Sequence, residues 1–136
     1  MKLKAEVHLR GRIQDLYRTE LIQRAGDTKI VFYDLCHHHE LDSWLRMHDI
    51  GFASELPNCR SRDLTITNKI LQYMQAELAV IATDTKGQRE VADAAPNAVL
   101  VTSAESSNEL SAILDRLASD RAVSYTHLTL PTIYSV

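Results

Sequence analysis

The run Leu78-Ala79-Val80-Ile81-Ala82 contains no polar residue, and it limits what the chain around it can become. Side chains on a strand point alternately to opposite faces, so a strand that is apolar throughout needs both faces covered. That condition is met at the buried centre of a parallel sheet with helices on both sides. The run is far too short for a membrane span, which takes ~20 apolar residues.

The rest of the chain supplies neighbours for such a strand. Ala5–Arg10 reads as a first strand closed by Gly11, and Ile13, Leu16, Tyr17 and Leu21 follow at helical spacing until Gly26. Lys29–Tyr33 is a second strand. Leu41, Trp44 and Leu45 mark one face of a short helix begun near Glu40, and Ile50–Ser54 is a third strand. A polar stretch from Glu55 to Thr67 is long enough to be a functional loop. A helix from Asn68 places Ile70, Tyr73 and Met74 on one side, and the apolar strand follows it. Thr85 with Gln88 suits a capping box for the next helix, and Ser106 with Glu109 suits another. Between those helices Ala98–Val101 is the fifth strand. The last helix carries a stripe of Leu110, Ile113, Leu114 and Leu117. The expected fold is therefore α/β: a Rossmann-like parallel sheet of about five strands, helices on both faces, in a single incomplete domain.

Size and charge narrow the function. The chain has 136 residues, room for one domain, and 15 Lys plus Arg against 18 Asp plus Glu give a net charge of −3. A chain without a basic field is not built to draw in nucleic acid or anionic lipid. Arg60 and Arg62 make only a small patch. Cys36 and Cys59 form no Cys-x-x-Cys pair, and Met1–Glu6 has no apolar segment behind it, so a reduced, cytoplasmic setting without a signal peptide is expected. No glycine-rich phosphate loop of the P-loop or dinucleotide type occurs.

Ligands of open parallel sheets bind beyond the carboxyl ends of the strands. Those ends are Gly11-Arg12, Asp34 to His38, Ser54-Glu55, Asp84-Thr85 and Thr102-Ser103, which makes a polar rim. His37-His38-His39-Glu40 lies on it. Three adjacent histidines on a loop rarely turn toward one ion, so no metal site is expected there. Trp44 and Tyr17, on helical apolar stripes, are expected in the core.

The residues from Val123 onward follow another pattern. Val123-Ser124-Tyr125-Thr126-His127-Leu128-Thr129-Leu130-Pro131-Thr132 carries no Lys, Arg, Asp or Glu. It resembles the translated adapter of a transposase-based sequencing library, read through in frame. On that reading the domain is residues 1–122, and 123–136 is a non-native tail with no evolved role, to be left out of fold reasoning. The competing reading is a genuine sixth strand, rich in Thr and Leu, added to a sheet edge.

Arg62-Asp63-Leu64-Thr65-Ile66-Thr67-Asn68-Lys69-Ile70-Leu71-Gln72-Tyr73 leads into Leu78–Thr85, and Gly87-Gln88-Arg89-Glu90-Val91 follows. In order and spacing this resembles the nucleotide-sugar-binding half of GT-B-fold glycosyltransferases that retain configuration. In that family an Asn-Lys opens a helix, an apolar strand follows, and an Asp-Thr-x-Gly-Gln-x-Glu turn opens the next helix. The resemblance extends more loosely from Ala5 to Arg121. It implies a nucleotide-sugar donor as partner, no cofactor and no metal. It also implies that an N-terminal acceptor-binding domain and the first strand-turn-helix of the donor domain are missing, so that this chain alone is inactive.

The residues so implied for donor binding are Glu55, Thr67, Asn68, Lys69, Gln72, Asp84, Thr85, Gly87 and His37. Free amides at a helix start favour a diphosphate, and Lys69 adds a cation. A carboxylate such as Glu55 can accept hydrogen bonds from sugar hydroxyls. Gln72 stands where the family usually has Glu, which leaves an amide without charge at that place. Glu77 and Ala79 replace a common Gly and Pro. His37 or His38 would line the wall for the base. A receiver-like regulatory module, with Asp34 or Asp84 as its phosphorylated residue, is the reading from another class; the basic and hydroxyl partners it needs are not placed for it.

Overall fold

Each apolar segment forms a parallel strand, and each amphipathic segment the helix that returns the chain to the sheet. The computed structural model describes residues 4–103, 105–120 and 125–131. In chain order these are β1 (Lys4–Arg10), α1 (Asp15–Ala25), β2 (Lys29–Tyr33), α2 (His38–Leu45), β3 (Ile50–Ala53), α3 (Arg60–Leu64), α4 (Asn68–Gln75), β4 (Ala79–Thr83), α5 (Lys86–Ala94), β5 (Val99–Thr102), α6 (Ser107–Asp120) and β6 (Tyr125–Pro131). The strands form one sheet in the order β2-β1-β6-β3-β4-β5, and every neighbouring pair is parallel. The five expected strands are all present. The parallel arrangement brings all their carboxyl ends to one rim.

The apolar strand sits where its composition requires. Val80, Ile81 and Ala82 of β4 are at most 1% exposed, flanked by β3 and β5. Right-handed crossovers place α1 and α6 on one face and α2, α4 and α5 on the other. The packing agrees. Trp44, Leu45, Ile70, Tyr73, Val91 and Ala92 cover Ala53, Val80, Ala82 and Val99 on one side. On the other, Leu110, Ile113, Leu114 and Leu117 of α6 pack against Ile50 and Ile81.

Gly51 explains how α4 comes so close to the sheet. A Cβ built on Gly51 would stand 2.4 Å from the ring of Tyr73, which is fully buried. The glycine is the socket for that ring. At the far end of α4, the amide of Glu77 donates to Met74 O at 3.0 Å and that of Leu78 to Tyr73 O at 3.1 Å. These two bonds form a Schellman motif, which needs a residue in the left-handed region. Glu77 fills that position at φ 62°, a conformation that glycine adopts without strain.

Three sequence expectations need correction. The polar stretch between Glu55 and Thr67 is not a plain loop, because Arg60–Leu64 forms α3. Helix α1 buries none of its residues, with Leu16 87% exposed and Tyr17 38%; Tyr17 is therefore not a core residue, whereas Trp44 is. An apolar stripe predicts a buried face only where a second layer covers it, and no described element covers this one. Third, residues 125–131 form a sixth strand, β6, between β1 and β3 and not at an edge of the sheet.

Two substitutions test this packing. Gly51→Ala overfills the Tyr73 socket and should destabilise the chain by about 1–3 kcal/mol, read as a lower midpoint in thermal or urea unfolding. Glu77→Gly removes the left-handed strain and should raise stability by about 0.5–1 kcal/mol. An unchanged or lower midpoint for Glu77→Gly would contradict the strain assigned to that turn.

Candidate functional site

The rim is organised by a buried amide. Gln88, 0% exposed, donates from Nε2 to Thr83 O at 2.7 Å and to Ala53 O at 3.2 Å. Thr83 Oγ1 accepts from the amide of Glu55 at 2.8 Å and donates to Glu55 O at 2.6 Å. One side chain of α5 therefore ties the ends of β3 and β4 together. Burying an amide without such bonds costs several kcal/mol, so the arrangement is held strictly. It fixes the backbone from which Glu55 projects.

Two helices begin beside Glu55, and their starts differ. At α5, Thr85 Oγ1 accepts from Gln88 N at 3.2 Å, and Asp63 Oδ1 accepts from Lys86 N at 3.0 Å. The Lys86 ammonium lies 3.9 Å from the same carboxylate. A Cβ on Gly87 would fall 2.4 Å from Thr65 O. The close approach that this glycine permits is thus to the chain's own backbone. Thr85 is 1% exposed. The first turn of α5 is already capped from within by a carboxylate and a hydroxyl.

The start of α4 is open. Its N-cap, Thr67, makes no side-chain cap, and its first turn holds no acidic residue. Thr67 Oγ1 is buried without a hydrogen-bond partner. Lys69, the second helical residue, lies with Nζ 3.8 Å from Glu55 Oε1, the side chains being 22% and 18% exposed. That distance is beyond a hydrogen bond. An ammonium carries three donors, so Lys69 keeps capacity for another acceptor. The positive end of the helix dipole points the same way. Tyr73 lies beneath; burial, and then the charge of Glu55, push its phenol well above the ordinary tyrosine range, so it stays neutral.

Glu55, Thr67, Asn68 and Lys69 are thus gathered at one helix start, with Asn68 exposed. Gln72, one turn further along α4, lines a groove against α2 with His38, Leu41, Asp42, Leu45 and Gln75. His37 is exposed at the start of α2, its ring 5.4 Å from that of His39 in a parallel stack. Asp84 is held by Arg89 through bonds of 3.2 and 2.8 Å. Among the described residues no three His, Cys, Asp or Glu side chains converge on a possible metal position.

Sequence reasoning missed Asp63 as a helix cap, Thr83 as a joint and Gln88 as a bolt. Thr85 and Gln88 do share a capping bond, but the Gln88 side chain turns into the sheet instead of reaching back to the cap. Arg10 was also missed. Its guanidinium lies 4.9 Å from the Tyr33 ring centre and 4.5 Å from that of Trp44, and it donates to Asp34 O at 2.6 Å. No spacing in the sequence signals a contact made across more than 20 residues.

No helix among the described residues is long and apolar enough to cross a membrane. Searches of curated proteins and of solved structures gave no match. A family profile described as glycosyl transferases group 1 matches residues 2–120. That match takes in every strand from β1 to β5, the open start of α4 and the capped start of α5, and on this ground the chain belongs to the group 1 glycosyltransferase family.

Proposed function

We propose that this chain is a donor-binding domain that holds a nucleotide-activated sugar by its diphosphate at the start of α4. The observation that carries this is the contrast between the two helix starts: α5 has its cap filled by Asp63 and Thr85, whereas α4 offers uncapped amides, Lys69 and the unpartnered hydroxyl of Thr67. An anion at that point gains from the dipole, the ammonium and the hydroxyl together. Glu55 would accept from hydroxyls of the donor, its negative charge keeping a second phosphate from settling on the same side.

The groove between α2 and α4 suits the nucleoside. It runs from His38 past Gln72, so the base would rest near His38, and Gln72 would hydrogen-bond the ribose with a neutral amide. Asn68 stands at the helix start beside the diphosphate. His37 and Asp84 flank the rim, and Thr85 and Gly87 act by holding the shape of α5. In the transfer step the bond between the sugar's anomeric carbon and the diphosphate oxygen breaks, and the sugar passes to an acceptor hydroxyl. Lys69 and the α4 amides would stabilise the charge that develops on the departing diphosphate. The acceptor would be held by a second domain across the rim, and residues 123–136 would contribute nothing to the site.

The test is calorimetric titration of the full chain with uridine and guanosine diphosphate sugars. Lys69→Ala should weaken binding by roughly ten- to a hundredfold, the range for a lost bond to a charged group. Lys86→Ala should change it by less than about threefold, since its exposed ammonium already faces Asp63. Equal losses, or a larger loss for Lys86→Ala, would place the diphosphate at α5 and overturn the assignment.

A further inference from the structure

The groove between α2 and α4 is closed at its far end by one side chain. Arg46, directly after α2, donates from Nε to Asp42 Oδ2 at 3.0 Å and from Nη2 to Gln75 O at 3.1 Å. The guanidinium therefore ties the end of α2 to the end of α4 and holds the distance between them. Leu41 and the buried Leu45 give the groove an apolar side, which suits the face of a flat ring.

The polar groups of the groove are unequal. Gln72 and Gln75 carry amides that both donate and accept, and neutral His38 can also do both. Asp42 is the only carboxylate among the described lining residues. It follows His38 by four positions and so lies on the same side of α2. An ionised carboxylate only accepts, and its two oxygens offer about four lone-pair sites. Arg46 takes up part of that capacity at Oδ2, while Oδ1 accepts no bond among the described residues. The same bond to Arg46 fixes the direction in which the carboxylate faces the groove.

An acceptor held in this way sorts the bases by their edges. Guanine carries N1–H and its exocyclic N2–H2 side by side, two donors that fit the two oxygens of a carboxylate. Adenine and cytosine set an amino group beside a bare ring nitrogen, and uracil sets N3–H between two carbonyls. Each of these three turns at least one lone pair toward the carboxylate.

We infer that Asp42 reads the base in this groove and selects a guanosine diphosphate donor. The inference rests on the nucleoside lying between α2 and α4, as proposed above, and adds the identity of the base.

The test is calorimetric titration of the full chain with inorganic pyrophosphate and with guanosine, inosine and uridine diphosphates. Inosine diphosphate is the guanosine compound without the N2 amine, so it keeps N1–H alone. Guanosine diphosphate should bind about tenfold or more tighter than inosine diphosphate, the effect of losing a bond to a charged group, and tighter still than uridine diphosphate. Asp42→Asn should bring the guanosine and inosine compounds to within about twofold of each other, because one acceptor then serves both. It should also make xanthosine diphosphate the tightest of the four nucleotides, since its C2 carbonyl accepts from the new amide. A ratio between ligands does not move with a general loss of stability, so a purely structural role for Asp42 would leave it unchanged and would overturn the inference. Binding of pyrophosphate with no preference for guanosine over inosine diphosphate would overturn this inference and leave the diphosphate site standing. Binding of neither pyrophosphate nor any nucleotide would overturn both.

Discussion

The bonds of Gln88 to Ala53 and Thr83, and of Thr83 to Glu55, are the constraint on which the rim depends. They join three elements at the point where β3 and β4 end and α5 begins. Their directionality matters more than their strength, because an amide sealed at 0% exposure has no water to fall back on. Glu55 then leaves β3 at one angle only, and Lys69 meets it from α4. The α4 helix is itself set by the Tyr73 ring in the Gly51 socket. A backbone glycine, a buried phenol and a buried amide thus place two charged side chains 3.8 Å apart.

The two helix starts divide the work. The Asp63 carboxylate of α3 caps the start of α5, draws α3 against that helix and closes that side of the rim. The absence of any such group in the first turn of α4 leaves its dipole uncompensated. A chain that spends its own acidic residue on one helix and withholds it from the next separates scaffold from site, and the Gly87 contact with Thr65 belongs to the scaffold half.

Much of this was legible beforehand. The apolar Leu78–Ala82 run could be satisfied only inside a parallel sheet, and β4 is there. The polar rim followed from the strands' common direction. Asn68 and Lys69 were legible as a helix start because local sequence decides where a helix begins. Contacts made at long range were not. Gln88 reaches Ala53 across 35 positions and Asp63 reaches Lys86 across 23, and neither leaves a periodic trace. The α1 stripe misled for a different reason: periodicity reports that a helix has an apolar side and says nothing of whether a partner is present to cover it. Thr and Leu in residues 125–131 carried β-propensity, but nothing local could place that strand at the centre of the sheet.

The most direct measurement is a backbone NMR titration of the full chain with inorganic pyrophosphate, which isolates the anion from base and sugar. The account predicts saturable shifts of the Asn68 and Lys69 amides that fade as ionic strength rises, with the Lys86 and Gly87 amides still. Shifts confined to Lys86 and Gly87, or an absence of shifts at Asn68 and Lys69, would contradict it.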